Sequence, residues 1–185
     1  MDEIADSKLK ITPNMKSKVV APSNDQAYSL YYLNPMTQIV HVSLSIDNFS
    51  KNPRMLADIL GISYQEIQII IQSLISMNLV RKEYSRDGKN QRIVYESLEN
   101  HIHLDRSSPL FGAWQAQLQL LGMQRKRSVQ ANQSYSFLAV FTATEDLRKR
   151  TIAKFTEFLK ELQDEVKDAE PKHTYQIAFD LFPWT

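Results

Sequence analysis

The chain contains no cysteine. That excludes disulfides, thiolate-bound zinc, iron–sulfur clusters and thiol catalysis, and it is compatible with a reducing, cytoplasmic setting. Glycine is scarce as well, four in 185 residues, about a third of the usual ~7% share, which disfavours a glycine-rich phosphate cradle and points to abundant helix. Charge of one sign is also missing. Twenty-two Lys and Arg face 21 Asp and Glu, a formal charge of +1, so any case for nucleic-acid binding rests on local patches. There is no long unbroken apolar run. The longest uncharged stretch, residues 26–46, carries Pro35, His41, two Gln and an Asn, which is too polar for a membrane helix. What is present, 43% apolar and 23% charged residues, is the usage of an ordinary folded protein of one domain or two small ones.

Residues 1–24 read as a flexible tail without the apolar segment of a secretory signal. Tyr28, Tyr31 and Tyr32 form an aromatic patch that suits packing onto the unit that follows, closed by Asn34-Pro35. Ile39, Val40, Val42, Leu44 and Ile46 fit a period-2 strand or a β-branched helix. What comes next favours the helix. Ser50-Lys51-Asn52-Pro53 offers a cap and a proline at the first helical position, and Met55, Leu56, Ile59 and Leu60 then share one face up to Gly61. Ser63 and Glu66 have the spacing of a capping box, which starts a second helix at Tyr64. Its inward stripe is Ile67, Ile70, Ile71, Leu74 and Ile75. Tyr64, Gln65, Gln68, Gln72 and Ser76 lie mostly outside, and Asn78 suits a C-cap. Residues 79–84 and 91–96 then read as two strands turning at Asp87-Gly88.

Helix, helix, helix, hairpin is the order of a winged helix-turn-helix, assigned to residues 25–100. Residues 101–185 are expected to form a smaller helix-strand-helix-strand domain. It would open at Ser108-Pro109, carry strands at 134–143 and 174–182, and enclose a long helix capped by Thr144 with the seam Ile152, Phe155, Leu159, Leu162 and Val166. The fold class is therefore α+β, with a boundary at 99–107. The carboxy-terminal unit is a candidate for dimerisation or signal sensing.

Charge is unevenly placed. Residues 51–92 hold seven basic and four acidic side chains, net +3, whereas residues 145–170 hold six basic and eight acidic. Arg81, Lys82, Arg86, Lys89 and Arg92 on the hairpin could reach phosphate oxygens, which supplies affinity and salt dependence without reading sequence. On the second helix, Tyr64, Gln65, Gln68 and Gln72 are the candidate base-facing residues, since glutamine can pair with adenine N6 and N7. No cation accompanies them, so a protein-facing surface is the competing reading.

The stretches Asn-Pro-Arg-Met-Leu-Ala-Asp-Ile-Leu-Gly-Ile-Ser (52–63), Leu-Val-Arg-Lys-Glu-Tyr (79–84) and Thr-Tyr-Gln-Ile-Ala-Phe-Asp-Leu-Phe-Pro-Trp-Thr (174–185) together resemble an uncharacterised bacterial family of predicted transcriptional regulators. These pair a winged-helix unit with a carboxy-terminal domain of unknown function ending in Tyr-Gln…Leu-Phe-Pro…Thr. The resemblance implies gene regulation, carries no catalytic residues, and implies a longer amino-terminal helical segment than residues 1–24 supply.

Other chemistry is weakly supported. His101 and His103 could share one side of a strand, but only Asp105 lies near as a third ligand, so no metal is expected. His41 on an apolar segment suits a hydrogen-bonded core position, and His173 a loop. No Gly-x-Ser-x-Gly elbow occurs, and neither an enzyme nor a cofactor is expected. The leading expectation is a DNA-binding transcriptional regulator acting on double-stranded DNA as a homodimer. The alternative is a protein–protein interaction module on the same scaffold.

Overall fold

In the computed structural model the described residues are 29, 31–87, 90–98, 104–105 and 107–184, with the side chains of 86, 87 and 90 excepted. The expected tail at 1–24, Tyr28, the Gly88 turn with Lys89, the Arg86 side chain, His101 and His103 lie outside them. The fold is α+β. Helices α1 (Pro35–Ser43), α2 (Asp47–Lys51), α3 (Pro53–Leu60) and α4 (Tyr64–Ser76) precede an antiparallel hairpin of β1 (Val80–Asp87) and β2 (Asn90–Ser97), and α5 (Phe111–Lys126) and α6 (Glu145–Asp168) follow.

Local chemistry explains the start of α1, the end of α3 and both ends of α4. Asn34 accepts from the Met36 amide at 3.1 Å and Pro35 occupies the first turn of α1, so the β-branched run that also fitted a strand is held helical from its start. Gly61 ends α3 at φ +70°, a left-handed conformation that glycine adopts without a Cβ penalty. The Ser63 hydroxyl accepts from the Glu66 amide at 3.1 Å while Glu66 accepts from the Ser63 amide at 2.8 Å, the reciprocal bond of a capping box. The Ser63 hydroxyl, which donates to the Glu66 carboxylate at 2.7 Å, and then the Ser63 amide hold that carboxyl below its ordinary range. Asn78, at φ +57°, turns the chain out of α4 so that Leu79 and Val80 re-enter the core.

The core lies among α1, α3, α4 and the root of the hairpin. Ile67, Ile70, Ile71 and Leu74 of α4 are buried against Val40, Leu44, Leu56 and Tyr31, each contributing roughly 1.5–3 kcal/mol by leaving water. His41 sits at its centre. Its Nε2 lies 3.3 Å from the Leu79 carbonyl and its Nδ1 lies 3.0 Å from the Tyr31 hydroxyl. A carbonyl only accepts, so Nε2 carries the proton and Nδ1 accepts from Tyr31. Burial lowers this imidazole to about 4, against a smaller opposing effect of the Leu79 bond. The ring thus ties residue 31, α1 and the entry to β1 together. Beyond the hairpin, Trp114 of α5 meets Tyr32 edge to face at 6.0 Å, and its indole N–H donates to Gln38 at 3.0 Å.

The carboxy-terminal half departs from expectation. Thr144 caps α6 through the Leu147 amide at 3.2 Å, as its sequence suggested, but residues 134–143 and 174–182 are not strands. Among the described residues the hairpin is the whole of the sheet. Both segments have strand-forming composition without a ladder partner, and composition alone closes no hydrogen bond. Residues 174–180 instead cross α5 and α6. Gln176 donates to the Leu118 carbonyl at 3.2 Å, Asp180 accepts from Gln115 at 3.3 Å and Gln119 at 2.8 Å, and Phe179 stacks on Phe155 at 3.9 Å between ring centres. The hydroxyls of Ser43 and Thr174 share a hydrogen bond of 2.9 Å, so this segment also touches the end of α1. No helix among the described residues is long and apolar enough to cross a membrane.

Candidate functional site

Four exposed positions of α4, Gln65, Gln68, Ile69 and Gln72, step by three, one and three, which aligns them along one helical stripe. The stripe lies opposite the buried Ile67, Ile70, Ile71 and Leu74 and carries no charge. Ile69 is 62% exposed in its middle, a large apolar side chain displayed to solvent between glutamines. It was absent from the sequence-derived set, although its i,i+4 spacing from Gln65 would have found it. Tyr64, expected to face bases, is half-buried at the start of α4, with the Arg54 guanidinium 4.8 Å above its ring.

The hairpin register sorts its cations. Val80, Lys82 and Tyr84 of β1 share a face with Ser97, Tyr95 and Ile93 of β2, whereas Arg81, Glu83 and Ser85 share the other with Glu96, Val94 and Arg92. Val80 is buried and Tyr95 packs against the helical core, so the first face looks toward α4. Burial raises the Tyr95 hydroxyl above its usual value; Lys82 opposes that shift, and Tyr64 and Tyr84 add to it. Lys82, with its ammonium 5.5 Å from the Tyr84 ring, therefore stands on the side of Tyr64 and Arg54. These residues make one basic and aromatic surface next to the uncharged stripe.

Arg81 and Arg92 lie on the far face. Arg81 is held between Glu83 at 2.9 Å and Glu96 at 2.5 Å, and the hydrogen bond and charge of Glu96 raise its pKa first, with Glu83 adding to the effect. Of the five hairpin cations named from sequence, then, Lys82 accompanies α4, Arg81 is paired with carboxylates, and Arg92 faces away from α4. The side chain of Arg86 and all of Lys89 are outside the described residues. Arg54, counted in the local charge but not among the site residues, joins the surface through Tyr64. Among the described residues no group of His, Asp or Glu is placed to hold a metal ion. Asp105, considered with the two histidines, accepts from the Ser107 amide at 2.8 Å and from the Ser107 hydroxyl at 2.6 Å.

Chemically, this side can offer amide groups and an apolar contact from α4, and positive charge from Arg54 and Lys82. Glu66 is engaged in the capping box, Glu83 and Glu96 pair with Arg81 on the far face, and Asp58 is exposed one helical turn from Arg54.

Residues 14–184 match the family model described as Domain of unknown function (DUF4423). No curated protein and no solved structure matches the chain.

Proposed function

We propose, starting from a chain that belongs to the DUF4423 family, that this protein is a DNA-binding transcriptional regulator. In this reading α3 and α4 form a helix-turn-helix and the β1–β2 hairpin is its wing. One observation carries the proposal: an exposed, uncharged stripe of Gln65, Gln68, Ile69 and Gln72 adjoins a surface bearing Arg54 and Lys82. A helix entering the major groove needs side chains that read base edges, with cations at its flanks for the phosphates. Glutamine supplies a paired donor and acceptor for adenine, and Ile69 supplies an apolar contact for the thymine methyl group. The stripe therefore suits A·T-containing sites. Arg54, Lys82, Arg86 and Lys89 take phosphates, while the carboxylates around Arg81 give it a smaller part. Tyr64 positions Arg54 and packs beside the wing. The working form is a homodimer, which doubles the phosphate contacts and sets two half-sites on a two-fold axis.

The test is a binding titration against random duplex DNA at two salt concentrations, with Arg54→Ala, Lys82→Ala and Lys89→Ala variants. The proposal expects weaker binding and a shallower salt slope when the cations are removed. The exposed Ile69 also favours a second reading, a protein-interaction module that binds a partner through the same stripe. Under that reading Ile69→Ala abolishes partner capture and duplex DNA is not bound at low salt.

A further inference from the structure

Two stretches of the carboxy-terminal half are extended, apolar and uncovered. In residues 134–143, Tyr135, Phe137, Leu138 and Val140 are 80–93% exposed, and they lie on both alternating faces of the segment. In the last stretch Tyr175, Phe182 and Trp184 stand open as well. Neither stretch takes part in any backbone–backbone hydrogen bond among the described residues. A run of unpaired amides and carbonyls in extended geometry is a template for another strand. Residues 134–143 also lack every device that blunts such an edge, since they contain no Lys, no Pro and no other charge.

We infer that a second copy of this chain covers this surface, with residues 134–143 of each copy becoming a strand in a sheet shared across a two-fold axis. Three observations select a copy over another partner. The exposed large apolar side chains of residues 134–143, Tyr135, Phe137, Leu138, Val140 and Phe141, amount to roughly 700 Å² per chain, compared with roughly 800 Å² per partner in an interface of standard size. Residues 134–143 bring no charge of their own to a two-fold axis, and the cation that touches them among the described residues is Lys126, which donates to the Ser136 hydroxyl at 3.5 Å. The one acid of residues 174–184, Asp180, is held by Gln115 and Gln119. The backbone of residues 134–143 is complementary to itself, because a two-fold axis normal to a sheet pairs an edge strand with its own antiparallel copy. The inference names the surface for the pairing invoked in the proposed function. It needs no DNA, so its failure and that of the DNA reading are separable.

The experiment is sedimentation of the full 185-residue chain across micromolar concentrations, paired with amide hydrogen exchange over residues 135–142. The expected species has twice the 21.4 kDa chain mass, with those amides protected in the dimer and exchanging freely on dilution. Phe137→Lys combined with Val140→Lys raises the dissociation constant by on the order of 100-fold and leaves helical circular dichroism unchanged, because both side chains are already 80% or more exposed in the single chain. If that variant loses its helices, the exchange pattern of the unaltered chain decides alone. A monomer with freely exchanging amides overturns the inference. A monomer with protected amides assigns the cover to the chain's own residues and overturns it too. A dimer that the paired lysines leave intact places the interface elsewhere and also refutes it.

Discussion

The two halves of the chain solve the same problem differently. Every fully buried side chain among the described residues lies between Tyr31 and Val80, and α5 and α6 bury none completely. The first half closes its core with short helices, α1 and α4 capped by the side chains of Asn34 and Ser63 and α3 ended by Gly61, and a hairpin root. The second half has the longer helices and the more strongly strand-forming segments, yet it leaves Phe137 and Trp184 in water. Local order and burial are therefore separate achievements. A capped helix needs only its own neighbours, whereas a strand needs a partner whose position no local signal encodes.

Truncation separates the halves most sharply. Ile67→Ala or Leu74→Ala is expected to cost roughly 2–5 kcal/mol in urea unfolding, the range for emptying a packed aliphatic site. Phe137→Ala is expected to leave the unfolding free energy of the monomer within about 0.5 kcal/mol, as surface substitutions do. Equal costs at the two positions would erase the contrast.

The buried imidazole gives the first half its own pH response. His41 falls from an ordinary value of 6.5 to about 4 in the folded chain, so between those values the unfolded chain binds the additional proton. Its contribution is fully present above pH 6.5 and is lost as pH falls toward 4, amounting to about 3 kcal/mol. Denaturant midpoints from pH 7 to pH 4 measure it, and His41→Gln is expected to flatten the profile. A profile unchanged by that substitution would locate the acid sensitivity elsewhere.

Smaller effects sharpen the account of the turn before α4. Gly61→Ala is expected to cost about 1 kcal/mol through backbone strain alone, because a Cβ there meets nothing within 4 Å. Ser63→Ala is expected to cost about 1 kcal/mol through loss of the cap. The smallest effect separates the faces of the hairpin in a DNA titration: Lys82→Ala lowers the salt slope by about 1 for each chain of the dimer, and Arg81→Ala lowers it less because its guanidinium is already engaged. The reverse order would place the far face against the duplex.

What could be read from sequence follows the same division. The capping box at Ser63 and Glu66, the prolines opening α1 and α3, the glycine ending α3 and the buried stripe of α4 depend on residues within one turn of each other, so spacing exposes them. The glutamine positions followed from the same period. Ile69 is hard to single out because it stands among three buried isoleucines, Ile67, Ile70 and Ile71, and its own hydropathy argues for the inner face. The pairing of Arg81 with Glu96 depends on hairpin register across 15 residues, and the Arg54–Tyr64 contact depends on how two helices meet. Residues 134–143 and 174–182 have the composition of strands, which sequence displays, without a partner, which it does not. The match over residues 14–184 agrees with an uncharacterised family, while the proposal of a regulatory role rests on the exposed face of α4 and its neighbours.

That role is tested most directly by measuring the affinity of the unaltered chain for duplex DNA at about 50 mM and about 200 mM salt. With about eight phosphates contacted, four from each chain of the homodimer, affinity is expected to fall by on the order of 10,000-fold across that range. No binding at the lower concentration, or an affinity indifferent to salt, would contradict the assignment of α4 and the hairpin to DNA.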